Sequence, residues 1–561
     1  MNLLNFRPKL LDSIRNYNRD MFMSDLMSGL IVGIVALPLA IAFGIASGVT
    51  PEKGIITAVI AGFIISFLGG SKVQIGGPTG AFIVIVYGII EKYGETGLII
   101  STIMAGIMLV LLGIFKLGTV IKFIPYPIIV GFTSGIAVTI FTTQVADLLG
   151  LQIVGEKIPS DFIGKWEVYI NNITTMDIAT ALVGIVSVMI IFLSPRLTKK
   201  IPGSLIAIIF VTVAVYIAKT YFGIDSIETI GDRFSINSDL PKSDIPPMSW
   251  NVIQGLLPAA VTIALLGAIE SLLSATVADG AIGDNHDSNT ELIAQGAANI
   301  ITPIFGGIPA TGAIARTMTN INNGGKTPIA GMIHAVVLLL IFLFLMPLAS
   351  YIPMACLAGV LVVVSYNMSE WRIFKALLKS PKHDVAVLLI TFLLTVLFDL
   401  TIAIEIGLLI ACVLFIKRVM ETTEISIITD QLDINKDIEG KTSSDNITIP
   451  DGVEVYEING PYFFGIATKF EETMSRVGNS PKVRIIRMRK IPFIDSTGIH
   501  NLEMLCNMCE KSGIKIILSG VHNKVEHEMT HSEVYDIVGK EYVCHNINEA
   551  ISKAEQYIAT H

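Results

Sequence analysis

The feature that most restricts the fold of this chain is a series of long apolar segments reaching from near the N-terminus to about residue 417. An apolar segment of about 20 residues crosses the hydrocarbon core of a bilayer as a helix. Of the 561 residues, 52% are hydrophobic and 15% are charged, whereas about a quarter of the residues of a soluble protein are charged. The sequence therefore predicts a polytopic α-helical membrane protein.

We expect about fourteen membrane spans. The candidates in chain order are 24–46, 52–69, 76–91, 97–115, 125–145, 176–194, 202–222, 252–278, 289–305, 309–322, 327–348, 352–366, 384–399 and 401–417. The third and tenth candidates are too short, and too interrupted by Gly and Pro, to cross a bilayer as continuous helices.

Basic residues predict the orientation of these spans, because Lys and Arg accumulate in cytoplasmic loops. They cluster in the N-terminal segment 1–23 and in the loops that follow the sixth, twelfth and fourteenth spans. These residues are Arg7, Lys9, Arg15, Arg19, Arg196, Lys199, Lys200, Arg372, Lys375, Lys379, Lys382, Lys417 and Arg418. Both termini are therefore predicted to be cytoplasmic. The loop 279–291, on the same side, is acidic, but acidic residues contribute little to orientation.

After about residue 420 the sequence becomes more polar. Residues 420–450 are predicted to be a linker that follows a transmembrane domain at 24–419. Residues 451–561 alternate between strand and helix patterns, which predicts a small α/β domain. Strands are expected at 452–458, 482–489 and 514–519, and helices near 466–476, 497–511, 521–530 and 547–559.

Five cysteines are present, and an odd number without framework spacing argues against a disulfide-stapled domain. Cys506 and Cys509 have the spacing of a redox motif. We interpret them as unreactive helix residues, because neither Trp, Gly nor Pro lies between them and no second pair completes a zinc site.

A short motif occurs twice within the apolar region: Gly-Gly-Pro-Thr-Gly-Ala at 76–81 and Gly-Ile-Pro-Ala-Thr-Gly-Ala at 307–313. A non-helical backbone in lipid leaves polar groups unpaired, which is tolerated only inside the protein or beside a watered cavity. Paired breaks in the two halves of a chain indicate an inverted-repeat transporter with its site near the bilayer midplane. The alternative is that each motif is a tight loop between spans.

We predict that each break begins a short helix. The hydroxyls of Thr79 and Thr311 can cap the first turns, and Gly80 and Gly312 allow a ligand to approach the backbone closely. A helix N-terminus carries about half a positive charge, so two of them that meet form a site for an anion.

Arg316 lies in the second apolar break, where its charge requires a partner. That partner is either the transported anion or Glu270, and Ser274 lies one helical turn beyond Glu270. One interpretation is a buried ion pair that braces the core. The other is that Arg316 selects anions while Glu270 binds the coupling cation. Three further polar residues of the apolar region are interpreted as structural or interfacial: His334, Asp399 and Glu405.

Several segments together resemble the SulP family, the sulfate permease group that is equivalent to solute carrier family 26. They are ALPLAIAFGIASGVTPEKG at 36–54, GGPTGAF at 76–82, GAIESLLSATVADG at 267–280, HDSNTELIAQGAANI at 286–300 and GGIPATGAIARTMTN at 306–320. PFIDSTGI at 492–499 resembles the STAS domain of the same family. The resemblance implies seven plus seven inverted-repeat spans with two broken half-helices, and a homodimer. It also implies a core of spans 1–4 and 8–11 that moves against a gate of spans 5–7 and 12–14.

The resemblance also assigns site residues. Substrate-binding positions of the family match Thr79, Gly80, Ala81, Thr311, Gly312, Ala313, Ala315 and Arg316, and coupling-ion positions match Glu270 and Ser274. In some bicarbonate carriers of the family the acidic residue is Asp and serves sodium, and the position of Arg316 is not basic. Glu together with Arg here favours protons and sulfate. Leu39 replaces a polar residue found in many members, which argues against a coupling role for the first span.

The motif around Asp495 and Ser496 resembles the loop that anti-sigma-factor antagonists phosphorylate on the residue after Asp, here Ser496. This implies a regulatory site and a cytoplasmic protein partner of the STAS domain. The alternative interpretation is that both residues cap the helix that starts near 497.

We therefore expect a proton-coupled symporter of inorganic oxyanions, with sulfate as the first choice, in the inner (plasma) membrane. The alternatives are a sodium-coupled bicarbonate transporter, a dicarboxylate transporter, a passive anion channel, a STAS-based signalling protein and a nucleobase symporter. We expect neither an enzyme nor a metal or other cofactor, because the sequence contains no nucleophile–base constellation, metal spacing or phosphate loop. The net charge of −8 does not indicate nucleic-acid binding.

Overall fold

The computed structural model describes residues 6–15, 17–118, 125–153, 158–159, 161–197, 202–235, 250–398, 400–428, 431–433, 446–464, 481–530 and 532–560. The chain forms two compact units, Met1–Ile410 and Ala411–His561. Each unit is described by itself.

Helices account for almost all regular structure before residue 423. In chain order they are α1 (Lys9–Ile14), α2 (Arg19–Ala46), α3 (Pro51–Leu68), α4 (Ile83–Ile114), α5 (Tyr126–Leu149), α6 (Phe162–Asn171), α7 (Ile178–Leu197), α8 (Gly203–Phe222), α9 (Ile230–Arg233), α10 (Trp250–Ile282), α11 (Ser288–Ile301), α12 (Ile314–Asn322), α13 (Pro328–Ala349), α14 (Met354–Met368), α15 (Trp371–Leu377), α16 (Lys382–Leu397) and α17 (Leu400–Thr422). Within the described residues, nine helices are long and apolar enough to cross a membrane.

Helices of the described residues match all fourteen predicted spans, which confirms the predicted helical membrane fold. The third span starts with a 3₁₀ turn at Gly80–Phe82 and continues into α4, which also contains the fourth span. The two spans join at Gly94, whose φ of 67° is readily adopted only by glycine. The tenth span is the nine-residue helix α12.

The helices of the first unit pack in two groups. In the first group, α4 packs against α10 and α11, and α13 packs against α2 and α3. The fourth span thus contacts the eighth and ninth, while the eleventh contacts the first and second, as an inverted repeat requires. In the second group, α5 packs against α14 and α16, and α7 packs against α8 and α14.

Small residues allow a close helix contact in the first group. A Cβ atom added to Gly106 of α4 would lie 2.7 Å from the carbonyl oxygen of Gly296 in α11, and the reverse distance is 2.6 Å. Glycines at a membrane helix interface let two backbones approach and gain dispersion contacts. A side chain at either position would push the two helices apart.

The carboxylates of the acidic loop 279–291 have local partners. Asp284 Oδ2 lies 2.9 Å from Lys72 Nζ, and Asp287 caps the N-terminus of α11. Glu291 is buried and its Oε2 accepts the N–H of Gly70 at 2.9 Å. The acidic residues of this loop therefore serve to hold the ends of the second, eighth and ninth spans together.

Two short strands of the first unit are β1 (Gly76–Gly77) and β2 (Thr311–Gly312). The strands of the second unit are β3 (Glu424–Ile428), β4 (Gln431–Asp433), β5 (Asn446–Thr448), β6 (Val453–Asn459), β7 (Val483–Arg487), β8 (Lys515–Ser519) and β9 (Val543–Cys544). The second unit contains a five-stranded sheet in the order β3, β6, β7, β8, β9. The last four strands of the sheet are parallel, and β3 pairs antiparallel with β6. The helices after β7 are α18 (Ser496–Lys511), α19 (Asn523–Met529), α20 (Val534–Val538) and α21 (Ile547–Thr560).

The structure corrects one boundary. The sequence assigned 420–450 to a linker, but β3 already forms the edge strand of the sheet, because its whole length pairs with β6. Strands β4 and β5 also lie within this range and pair with each other. The helix expected near 466–476 falls outside the described residues.

Candidate functional site

The two repeated motifs meet at the centre of the first unit. Strand β1 (Gly76–Gly77) pairs antiparallel with β2 (Thr311–Gly312), so that Gly76 faces Gly312 and Gly77 faces Thr311. We call these paired strands the crossover. Each strand soon leads into a helix, at residue 80 for the first half-helix (80–93) and at residue 314 for the second half-helix, α12. The motifs therefore form one structure and not two separate loops.

Polar side chains complete the hydrogen bonds of this non-helical backbone. The Asn299 side chain donates to the Ala310 carbonyl at 2.8 Å and accepts the Ala310 N–H at 2.9 Å. Thr317 Oγ1 accepts the N–H of Ile75 at 3.0 Å. Sequence reasoning missed both side chains, although a polar residue in an apolar segment beside a break was a usable signal.

Helix α10 holds both ends of the crossover. Thr79 Oγ1 donates to Glu270 Oε2 at 2.9 Å, and Thr311 Oγ1 donates to the carbonyl oxygen of Gly267 at 2.9 Å. Gly267 and Glu270 are three residues apart and share one face of the helix. A single face of α10 thus fixes the entrance of each half-helix.

The predicted capping role of Thr79 and Thr311 is wrong, because their hydroxyls bond to α10 instead. Within the described part of the chain, neither half-helix has a side-chain cap at its N-terminus. The first N–H groups of a helix have no acceptor within the helix. The uncapped first turns therefore have N–H groups available for another acceptor.

Ser274 also lies near the second half-helix. Its Oγ is 3.3 Å from Thr317 Oγ1, and Ser274 is fully buried. Glu270, by contrast, bonds to Thr79 in the first half-helix. The two predicted coupling residues thus contact different repeats from one helix.

The accessible part of the site is small. Thr79 and Glu270 are partly buried, while Ile314 and Ala315 at the start of α12 are exposed. The other predicted substrate-binding residues are buried: Gly80, Ala81, Thr311, Gly312, Ala313 and Arg316. The second helix group borders this region, because a Cβ added to Gly80 would lie 3.0 Å from Met368 Sδ and 3.2 Å from Ile140 Cδ1.

Arg316 lies beneath the first motif and is 2% exposed. Its Nη2 donates to the carbonyl oxygen of Pro78 at 2.7 Å, while Nη1 has no hydrogen-bond partner among the described residues. The described part of the chain contains no ion pair within 4.0 Å between Arg316 and Glu270. Arg316 thus connects the second repeat to the first through a backbone carbonyl and not through Glu270.

His334 of α13 is fully buried, and neither ring nitrogen has a hydrogen-bond partner among the described residues. A Cβ added to Gly62 of α3 would lie 3.7 Å from its Nε2. His334 therefore lies in the interface between α3 and α13. Asp399 and the side chain of Glu405 fall outside the described parts of the chain.

In the second unit, Asp495 caps α18. Its Oδ1 accepts the N–H of Gly498 at 2.7 Å, and its Oδ2 accepts the N–H of Phe464 at 3.2 Å. The helix begins at Ser496, which is exposed. Asp495 thus provides the cap, and the hydroxyl-bearing residue beside it is accessible.

Cys506 and Cys509 are both buried in α18. Burial raises the pKa of the Cys506 thiol to about 12, and burial also raises the pKa of Cys509. Arg484 Nη1 lies 3.5 Å from Cys509 Sγ. A thiol must ionise to react, so burial disfavours the reaction of both thiols at neutral pH.

Family models match most of the chain. The sulfate permease family model matches residues 22–391, and the STAS domain model matches residues 446–554. The putative sulfate transporter YvdB of Bacillus subtilis is 42% identical over 530 residues, which are 94% of this chain and 97% of that protein. The bicarbonate transporter BicA of Synechocystis is 29% identical over 520 residues, 91% of this chain and 90% of that protein.

Two solved structures share the fold. The murine solute carrier 26 family member A9 anion transporter, in an inward-facing state, matches with a TM-score of 0.85 and 19% identity over 98% of this chain and 94% of that one. The transmembrane domain of a cyanobacterial bicarbonate transporter, BicA, matches with a TM-score of 0.61 and 31% identity over 70% of this chain and 98% of that one. Together with the paired half-helices, these matches show that the chain belongs to the sulfate permease family of multi-pass anion transporters, with a C-terminal STAS domain.

Proposed function

We propose that this protein is a secondary active transporter that carries an inorganic oxyanion, sulfate in the first place, by proton symport. The observation that carries the proposal is the crossover, which brings two uncapped helix N-termini together beside the carboxylate of Glu270. We propose transport and not catalysis as its activity.

The anion is proposed to bind between the half-helices. The first-turn N–H groups near Gly80, Ala81 and Ala315 have no side-chain cap. Helix N-termini attract anions through these N–H groups and through the helix dipole. Arg316 adds a full positive charge behind the first motif and holds that motif in place through Pro78.

Glu270 is proposed to carry the coupling proton. A proton on Glu270 removes a negative charge next to the anion and so tightens anion binding. By reciprocity, a bound anion favours proton binding by the same factor. The bond between Thr79 and Glu270 ties this protonation directly to the entrance of the first half-helix. In the sodium alternative, Glu270 and Ser274 would bind the cation together with nearby backbone carbonyls.

The test of this proposal is Glu270→Gln, which imitates the protonated carboxyl. We expect the variant to bind and exchange labelled sulfate at neutral pH but to lose accumulation driven by a proton gradient in proteoliposomes. The matched control is Glu91→Gln, which removes an exposed carboxylate of α4 and should accumulate sulfate normally. Uphill uptake by Glu270→Gln would place the coupling elsewhere.

A sodium-coupled bicarbonate transporter is the second candidate, favoured by the 31% identity to the transmembrane domain of BicA. Uptake of labelled sulfate, bicarbonate and succinate under imposed proton or sodium gradients separates the candidates. Bicarbonate uptake that follows sodium and ignores pH would favour the second. An anion conductance without coupled uptake would indicate a channel. A protein that shows neither conductance nor uptake would favour a STAS-based sensor.

We further propose that the two helix groups move relative to each other as core and gate, in a homodimer in the plasma membrane. The basic loops support a cytoplasmic location of both termini. Labelling of single introduced cysteines from each side of sealed vesicles tests the orientation. The exposed Ser496 is the proposed contact or phosphorylation site for a cytoplasmic partner.

A further inference from the structure

A glycine in each crossover strand makes room for a side chain from the other repeat. Arg316 of the second repeat lies over Gly77, so that its Nη1 is 2.2 Å from the position a Cβ would take. Gln74 of the first repeat lies over Gly312, so that its Nε2 is only 1.5 Å from the position a Cβ would take. Any side chain at either glycine would displace the group that crosses it.

Gln74 also reaches the helix that bears Glu270. Its Nε2 donates to the carbonyl oxygen of Ser271 at 3.1 Å, and the residue is 4% exposed. Ser271 directly follows Glu270 in α10. One amide group thus touches both α10 and the last residue of β2, two positions before the start of α12.

The amide is costly at this place. Oε1 of Gln74 is buried without a hydrogen-bond partner among the described residues. A buried unpaired oxygen destabilises a fold, and an apolar side chain of similar length would avoid that cost. A buried polar atom that is left unpaired is expected at a position where function requires the residue.

We propose that Gln74 is a positioning residue of the anion site, which fixes the N-terminus of the second half-helix relative to Glu270. Its side-chain N–H donates a hydrogen bond to α10, and its packing against Gly312 sets the distance between α10 and the N-terminus of α12. This inference rests on the proposed transport function. It predicts that the donor of Gln74 controls anion affinity more than it controls folding.

The first test is Gln74→Met, which keeps the length of the side chain but removes the donor. We expect a folded protein with nearly unchanged thermal stability and a KM for sulfate raised about tenfold, the effect of losing about 1.4 kcal/mol of binding. We expect kcat within about twofold of wild type, because an interaction made equally in the bound ground and transition states changes only KM.

The second test uses the contact between Gln74 and Gly312. Gly312→Ala should abolish uptake, because the new Cβ would overlap Gln74 Nε2. Adding Gln74→Ala in the same chain removes the overlapping amide and should restore a measurable part of the uptake. The matched control is Gly88→Ala in α4, where a Cβ would meet no described atom within 4 Å and uptake should not change.

The outcomes separate the inference from the function on which it rests. An active wild type whose KM is unchanged in Gln74→Met, or a double variant as inactive as Gly312→Ala, would overturn the positioning role alone. A folded wild type that takes up no oxyanion under any gradient would overturn the proposed function and this inference with it.

Discussion

Arg316 carries a full charge in a place where the described structure offers it only a carbonyl oxygen, that of Pro78. A buried charge with incomplete partners is expensive, which makes Arg316 a candidate functional residue. In the proposed function, the guanidinium acts on the anion through the electric field at the crossover and through the position of the first half-helix. Both contributions end when the side chain is removed.

Arg316→Ala should therefore abolish oxyanion binding while the protein remains folded. The measurement is the shift of the thermal midpoint by sulfate, together with labelled uptake. Arg316→Lys is the comparison, because a lysine ammonium keeps the positive charge but lacks the planar, forked donor geometry of a guanidinium. This variant should retain part of the thermal shift and part of the uptake. Full transport by Arg316→Ala would show that the residue only braces the fold.

His334 and Asn299 form an informative pair, since both are buried polar residues of the first unit, but only Asn299 has hydrogen-bond partners among the described residues. His334→Leu should leave uptake intact and keep or raise the thermal midpoint, because an unpaired buried group costs about 1–3 kcal/mol. Asn299→Leu should lower the midpoint and the uptake, because it leaves the Ala310 backbone unpaired. A loss of transport in His334→Leu would instead assign His334 a direct role.

Among the elements, the spans and the strands β6, β7 and β8 follow from the sequence because runs of apolar residues are local properties. Strand β3, which the sequence assigned to the linker, is an exception. The partners of the crossover are different. Thr79 was expected to cap its own helix, yet a carboxylate on α10 is the acceptor of its hydroxyl. Gln74, Thr317 and Asn299 are polar residues near the breaks, which is a local signal, but their partners depend on which element faces them after packing. Sequence reasoning therefore placed the breaks but not the contacts that join them.

Helix α18 provides a pH prediction for the second unit. Burial favours the protonated thiol of Cys506 and raises its pKa to about 12, compared with an ordinary value near 9. The associated stability is fully present below pH 9 and is lost as the pH rises towards 12, since the unfolded chain then releases its proton more easily.

Native protein should accordingly show no alkylation of Cys506 by iodoacetamide at pH 8, whereas denatured protein should react completely. Peptide mass spectrometry after timed quenching measures both. Rapid labelling of Cys506 in the native protein would mean that the thiol is accessible and ionised, contrary to its burial.

At the scale of the whole molecule, all residues of the proposed anion site belong to the first unit, while the STAS sheet begins at β3, directly after α17. Truncation after Thr422 should therefore reduce assembly or the rate of transport more than the preference among sulfate, bicarbonate and succinate. Uptake competition in proteoliposomes measures the preference, and size-exclusion chromatography measures assembly. A changed preference at an unchanged rate would show that the STAS domain shapes the site.

The pairing of Gly76 with Gly312 also has a consequence for biosynthesis. The two residues are separated by 236 positions along the chain. A ribosome adds about 5–20 residues per second, so the first motif waits roughly 10 to 50 s for its partner. During that interval its extended backbone is already in the membrane region without its strand partner. The unpaired backbone groups of the first motif therefore need other hydrogen-bond partners until the second repeat is inserted. The insertion machinery, lipid headgroups or water can provide them.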